Sequence, residues 1–496
     1  DAVQELMVEN RIGQVPVIYQ AGGEVVGIVT RTDLINLWSA NNEDDPSPRP
    51  NLSHQLEQSL SPQLLTLLKT AGELATGQGS TLYLVGGFVR DLCLTQLTAT
   101  SNGAKVSPRF DLDLVVEGDA IALAQRLCDT YGGRIYSHKR FGTAKWMLAQ
   151  PMGFGPDPDA ADQSLTSLDF VTARTEFYSH PSALPEVEQS SIRQDLHRRD
   201  FTINTLAFRL TPDYFGDLLD FYGGQADLTD RLIRVLHSLS FVEDPTRMLR
   251  AARLMARLGF DLEERTAELL TNARDLMSRV SGERITQELA LIFRERAPDQ
   301  ALKQADDLGL LTAIHPELKV DAWLIECLQT LHHKLGDTPW ATISPEFIHY
   351  LGLLAFPLAK EEQAVLAERL NLPNPQRVIL EHTRTIRANI SAIVAAEKAS
   401  TLFHLLEHIN EDAMLIVWLA LRSEPVGPQL ARYYTTLKNV KPIIDGQYLK
   451  ETFELQPGPI FRMVLDALRD ARLDEQVTTL AEEQVLVTKL LNKLAP

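Results

Sequence analysis

Apolar positions recur in this chain at two spacings, and the change from one to the other separates its parts. Leu82-Tyr83-Leu84-Val85 is a short apolar run that stops at Gly86-Gly87 and gives way to an amphipathic segment from Phe88. That order predicts a strand feeding a helix. Phe110-Asp111-Leu112-Asp113-Leu114-Val115-Val116 alternates and then turns wholly apolar, which predicts a strand buried on at least one face. Further strands are predicted over Gly133–Ser137, Thr143–Leu148 and Leu168–Arg174, and helices over Pro62–Ala75 and Ala120–Leu127. Beyond Gly259 the spacing is almost entirely helical. Two stretches break the pattern. Pro151–Ser167 is rich in Pro, Gly and Asp and predicts an irregular insertion; Thr175–Asp195 is polar, holds two prolines and predicts a long loop. At the N-terminus, strands Gln14–Tyr19 and Val25–Thr30 flank a Gly22-Gly23 turn, with a helix expected from Asp33. An acidic, proline-containing linker follows, from Ala40 to Ser53.

Candidate chemistry sits where these periods meet. Glycines between a strand and a helix let backbone N–H groups approach a phosphate at a helix N-terminus that favours anions. Arg90, one turn further, adds a forked donor. Asp111 and Asp113 are two residues apart on a predicted strand and share a face. Two such carboxylates repel, and a divalent cation with oxygen preference, Mg²⁺, relieves the cost. Asp169 enters another predicted strand and is either a third carboxylate or a polar strand entrance. Arg198-Arg199-Asp200 follows the long loop and is expected to open a helix, with Arg199 reaching a triphosphate or sugar. Asp244-Pro245 reads as a helix start, Asp244 capping and Pro245 first in the helix. Arg247, Arg250 and Arg253 then recur every third residue along one side.

Composition narrows the class. The chain has 496 residues, 44% hydrophobic and 23% charged, ordinary for globular protein, and no apolar run reaches membrane-spanning length. Three scattered cysteines fit a reducing cytoplasm and argue against a zinc site or a disulfide frame. A net charge of −18 argues against a nucleic-acid partner, but the distribution tempers it. Residues 191–260 hold ten arginines against nine acids, a net of +1. Such a local arginine field can grip a triphosphate or an RNA end.

In order, these motifs resemble the class II tRNA nucleotidyltransferase and bacterial poly(A) polymerase family. The matching segments are Gly86-Gly87-Phe88-Val89-Arg90-Asp91, then Asp111-Leu112-Asp113, then Arg198 to Asn204, then Glu243-Asp244-Pro245-Thr246-Arg247 through Arg253. Residues 1–38, ending their second strand in Gly27-Ile28-Val29-Thr30-Arg31-Thr32-Asp33, resemble the second part of a CBS repeat; a lone half cannot bury its sheet, so the natural protein is expected to extend further N-terminally.

The resemblance implies an α+β fold. A polymerase-β-like head with a mixed sheet spans 58–212, a helical neck 213–300, and an all-α body and tail 301–496; a partial CBS unit (1–40) and a linker (41–57) precede them. It implies template-independent transfer of CMP and AMP, or AMP alone, from CTP and ATP to a tRNA 3′ end in the cytoplasm. Asp111 and Asp113 would be catalytic and hold Mg²⁺. Gly86, Gly87, Arg90, Arg199, Asp244, Arg247, Arg250 and Arg253 would bind the nucleotide. Two chains could pair through a CBS module. Poly(A) synthesis is the nearest alternative, and a non-catalytic adenylate sensor a more distant one. Base choice follows from hydrogen bonding: adenine and cytosine both pair an exocyclic amine with a ring-nitrogen acceptor, complementary to Asp244 and Arg247.

Overall fold

A computed structural model describes residues 3, 6–7, 14–19, 24–30, 49–99, 112–155, 164–177 and 186–494. Asp111 lies outside them, as does the helix expected from Asp33. The chain divides into two units, Asp1–Val280 and Ser281–Pro496.

In the first unit, β1 (Gln14–Tyr19) and β2 (Glu24–Thr30) form an antiparallel hairpin. The helix Pro62–Gly77 starts where Ser61 caps the Leu64 amide and Pro62 fixes the first turn; Leu64, Leu67, Leu68, Ala71 and Ala75 give it a buried face. A seven-stranded mixed sheet follows, built from β3 (Thr81–Val85), β4 (Asp113–Glu117), β5 (Arg134–His138), β6 (Thr143–Gly153), β7 (Ser164–Thr172), β10 (Ala207–Arg209) and β11 (Leu218–Leu219). Its order is β11-β10-β3-β4-β7-β6-β5. Only the β4–β7 pair is parallel. Leu82, Leu84, Val85, Leu114 and Val116 are fully buried, so the wholly apolar runs became the centre of the sheet.

Both stretches expected to be irregular carry structure. β6 continues to Gly153, and Met152 and Gly153 pair with Leu165 and Ser164 across a register shift. Buried Phe154, edge-on to Phe88 at 5.6 Å, holds the end of this arm against the core. Within Thr175–Asp195, β8 (Arg174–Phe177) pairs with β9 (Glu186–Gln189), and Ser191 caps a helix over Ile192–His197. The proline-containing polar composition hid a hairpin because its alternation spans only four residues per strand. Arg198-Arg199-Asp200 does not open a helix; it ends that one. Burial of Phe201 draws the backbone into an extended bridge with Val235, and a short 3-10 turn, Thr202–Asn204, follows.

The described residues of the second unit contain helices and no strand, from Gly282–Phe293 to Leu480–Leu494. Buried Trp340 stacks on Tyr434 at 4.1 Å inside it. No helix among the described residues is long and apolar enough to cross a membrane.

Candidate active site

Gly86 ends β3 with φ +79, a left-handed value that favours glycine. A Cβ there would stand 3.2 Å from the Asp113 Oδ2 atom and 3.3 Å from an Arg199 Nη1 atom. The turn therefore lets strand, carboxylate and guanidinium meet. Gly87, first in the helix Gly87–Ala99, has ordinary room for a Cβ, whose nearest neighbour would be 3.6 Å away. Of the two glycines, close approach demands only Gly86.

The register of the sheet sets the carboxylates. Val85 pairs with Asp113, Asp113 with Asp169 on β7, and Asp169 with Lys145 on β6. Directly opposed residues share a face, so the three side chains form a row across the sheet. Asp113 is exposed, and Lys145 Nζ lies 3.0 Å from Asp169 Oδ2.

At Asp113 this row borders a cleft of about 480 Å³. Of the described residues singled out from the sequence, Gly86, Gly87, Arg90, Asp113, Arg199, Asp244, Arg247, Arg250 and Arg253 line it, and Asp169 does not. Arg198, Asp200, Asn204 and Arg257 line it too and were not singled out as site residues, although the first three belong to the recognised Arg-Arg-Asp segment. Spacing could have flagged Arg257, which stands two helical turns after Arg250. Seven arginines face three aspartates in this lining, a balance suited to a polyanion.

The arginines differ in what holds them. Asp195, fully buried, accepts from Arg198 at 2.7 Å and from Arg199 at 3.4 Å. Burial pushes its carboxyl up, but the two guanidiniums outweigh this and hold it below the usual range. Arg90 is buried; it donates twice to Asp91 Oδ1, at 2.8 and 2.6 Å, and once to Asn204 Oδ1 at 2.8 Å. It stands in the cleft wall as a brace between segments. Arg247, also buried, donates to Ser240 Oγ at 2.6 Å and to the Arg198 carbonyl at 2.7 Å. Arg250 donates to Asp200 Oδ2 at 3.0 Å. Asp200 is opposed by burial, yet Arg250 and the Asn204 amide bring its carboxyl down to about 2.

The helix starts one residue later than expected, with Pro245 rather than Asp244 at its cap position, and Asp244 holds the start from the residue before. Its Oδ1 accepts from the Thr246 amide at 3.0 Å and the Thr246 hydroxyl at 2.6 Å, and Thr246–Leu258 is helical. The capping role and a place in the cleft coexist. Nearby, buried His197 stacks on His237 at 5.4 Å; burial first, then His237, pushes the His197 imidazole down to about 3.

The donor chemistry of the sheet face fits a hard cation: Asp113 and Asp169 offer carboxylate oxygens side by side. Among the described residues there is no group of three or more metal-ligating side chains, and Asp111 is not one of those residues.

The chain is similar in sequence and fold to known proteins. The Poly A polymerase head domain family matches residues 82–234, the family described as the probable RNA and SrmB-binding site of polymerase A matches 259–321, and the CBS domain family matches 1–39. An A-adding tRNA nucleotidyltransferase of Geobacter sulfurreducens is 32% identical, over 99% of this chain and 55% of its own length. Another from Halalkalibacterium halodurans is 39% identical over 84% of this chain and 90% of its own length. The chain thus spans about half the length of the first relative and most of the second. The solved structure of the Thermotoga maritima CCA-adding enzyme complexed with tRNA superposes with a TM-score of 0.67, 27% identity, and coverage of 90% of this chain and 99% of that one. The chain belongs to the class II tRNA nucleotidyltransferase family.

Proposed function

We propose that this chain transfers AMP from ATP to the 3′ end of tRNA, without a nucleic-acid template, and releases pyrophosphate. The observation that carries the reading is one cleft in which Asp113 and the Gly86 turn face Asp244 and the arginine-bearing helix Thr246–Leu258. The A-adding relatives favour AMP over CMP as the unit added.

Phosphoryl transfer depends on positioning and charge neutralisation. Asp113, with Asp111 from the same sequence motif, would hold Mg²⁺. Bound there, the metal would supply activation of the primer hydroxyl and charge balance on the leaving pyrophosphate. The chain's own residues do the rest. The Gly86 turn and Arg199 receive the triphosphate. Asp244 accepts from the exocyclic amine of adenine, and Arg247, held rigid by Ser240 and the Arg198 carbonyl, presents donor character to the ring nitrogen. Guanine and uracil reverse both groups, and each unpaired buried polar group costs about 1–3 kcal/mol. Cytosine presents the same pair of groups as adenine, so CTP is the nearest competing substrate. The proposal includes a cytoplasmic location and pairing of two chains through the CBS segment.

The test is addition of each labelled nucleotide to tRNA transcripts ending before CCA, at C, and at CC. One AMP added to the CC end alone supports the reading. Stepwise addition of C, C and A supports a full CCA activity. Long A tails on unrelated RNA ends support the poly(A) alternative, which the family description of the head favours.

A further inference from the structure

Arg250 and Arg257 stand seven residues apart on the helix Thr246–Leu258, two turns along one face. A closed circuit of hydrogen bonds leaves the helix at one and returns at the other. Arg250 donates to Asp200 Oδ2 at 3.0 Å; Asn204 Nδ2 donates to Asp200 Oδ1 at 2.8 Å; Arg90 Nη1 donates to Asn204 Oδ1 at 2.8 Å. Arg90 then grips Asp91 Oδ1, and Arg257 closes the circuit at Asp91 Oδ2, at 3.3 Å. Asp91 is fully buried, and Arg90 and Asp200 are nearly so.

Five members of this circuit are charged and one, Asn204, is neutral. Its place explains its chemistry. It sits between a guanidinium that can only donate and a carboxylate that can only accept. A carboxamide does both at once; a carboxylate has no donor there, and an ammonium or guanidinium has no acceptor. Three segments meet through it: the helix after Gly86, the turn after Arg198-Arg199-Asp200, and the helix that begins beside Asp244.

Resting on the nucleotidyltransferase reading, we propose that Asn204 is a positioning residue that sets the base-selecting end of the cleft at a fixed distance from the triphosphate-binding turn. It acts through Asp200 and Arg250 on one side and through Arg90 and Asp91 on the other. Its removal leaves Arg90 on Asp91 and Arg250 on Asp200 as separate ion pairs. The turn that holds Asp200 and the helix after Gly86 are then joined only by way of Arg250 and Arg257 at two points on the helix Thr246–Leu258, so the spacing between the base-selecting end and the triphosphate-binding turn is held less tightly.

The experiment compares the full chain with Asn204→Ala and with the isosteric Asn204→Asp, which keeps the acceptor for Arg90 but turns an oxygen toward Asp200. KM for ATP, kcat, and the ratio of AMP to UMP added to tRNA ending in CC are measured beside a thermal melt. The Kd of a non-hydrolysable ATP analogue gives a readout that needs no turnover. The expected result is a rise in KM and Kd of roughly tenfold, about the effect of losing one charge-assisted hydrogen bond. Preference for AMP over UMP falls with it, and Asn204→Asp is the worse variant because two carboxylates then face each other. A purely structural role would lower the melting temperature and the active fraction while KM, Kd and base preference per active molecule stay within about twofold of the parent; that result overturns the proposal. If Asn204→Ala does not fold, the same criteria apply to Asn204→Asp, which creates no cavity. A parent chain that neither binds the analogue nor adds nucleotides defeats the functional reading instead, before Asn204 is tested.

Discussion

Asp113 and Asp169 stand directly opposite each other on the parallel strands β4 and β7, with their carboxylates on one face of the sheet. Sequence separation disguised this pairing, because 55 positions lie between them and only the strand register brings them level. Lys145 lies opposite Asp169 in turn and forms an ion pair with it, each side chain about half exposed. Such a pair contributes roughly 0–1 kcal/mol to stability. Asp169→Asn is therefore expected to leave the melting temperature nearly unchanged and to reduce nucleotide transfer at least tenfold, as a carboxylate of the active face would. Equal transfer by parent and variant would make Asp169 a polar strand residue only.

The two glycines of the strand-to-helix turn are expected to separate. Gly86→Ala forces a side chain into a left-handed conformation, at a cost of about 1–2 kcal/mol. It also presses on Asp113 and Arg199, the neighbours a Cβ would meet. Both stability and transfer should fall. Gly87→Ala has room for its methyl and lies in a helix, so its stability should hold or rise slightly. Thermal melts and initial rates of the two variants check this; equal losses at both positions would contradict the geometry.

Acid stability reports on the buried network. The Asp200 carboxyl lies near 2 against an ordinary 3.8: burial raises it, and Arg250 and Asn204 more than reverse that. A depressed carboxylate contributes stability that is fully present above its ordinary value and is lost as pH falls toward the folded value. The contribution is about 2 kcal/mol. His197 acts over a neighbouring range: its imidazole, buried beside His237 and lowered to about 3, stays neutral in the fold while the unfolded chain takes up a proton near 6.5, so stability also falls as pH drops between those values. Comparing parent with Asp200→Asn at each pH cancels the histidine. The stability gap should be largest above pH 4 and shrink by about 2 kcal/mol toward pH 2. A gap that does not change with pH would remove Asp200 from the charged network.

Much of this was legible in the sequence, for identifiable reasons. Leu82–Val85 and Leu114–Val116 were legible as strands because they are apolar without a break, which burial on both faces of the sheet accounts for. Gly86, Asp113, Arg199 and the Asp244–Arg253 segment came from local motifs, and the cleft gathers them all. What was not legible depends on distant pairing. The hairpin of β8 and β9 is short and polar, and nothing in its composition favours pairing over loop. The extended backbone through Phe201 is imposed by tertiary burial. Arg90 reads as a phosphate donor from its position after the glycines, but Asp91 and Asn204 engage its nitrogens. Sequence spacing locates a guanidinium without showing what it will bind.

Asp244 combines two roles that substitution can separate. Its Oδ1 holds Thr246, and Asn caps about as well as Asp. Asp244→Asn should keep its melting temperature. In the cleft, however, an amide can present either oxygen or NH₂, so the variant should accept UTP or GTP against ATP where the parent does not. Thr246→Val, which removes only the hydroxyl side of the cap, should lower the melting temperature without altering base choice. Single-nucleotide addition with each of the four NTPs reads this out. Unchanged base choice in Asp244→Asn would confine Asp244 to capping.

The most direct measurement is transfer of labelled AMP to tRNA ending in CC, with Mg²⁺ titrated, for the parent chain and Asp113→Asn side by side. The parent should add one AMP with a saturable dependence on Mg²⁺. Asp113→Asn should melt at the same temperature or higher, since it removes one of two like charges facing each other, and should show no transfer above background. Transfer by a folded Asp113→Asn at the parent's rate and with the parent's Mg²⁺ dependence would contradict the assignment of this cleft as the site of nucleotide transfer.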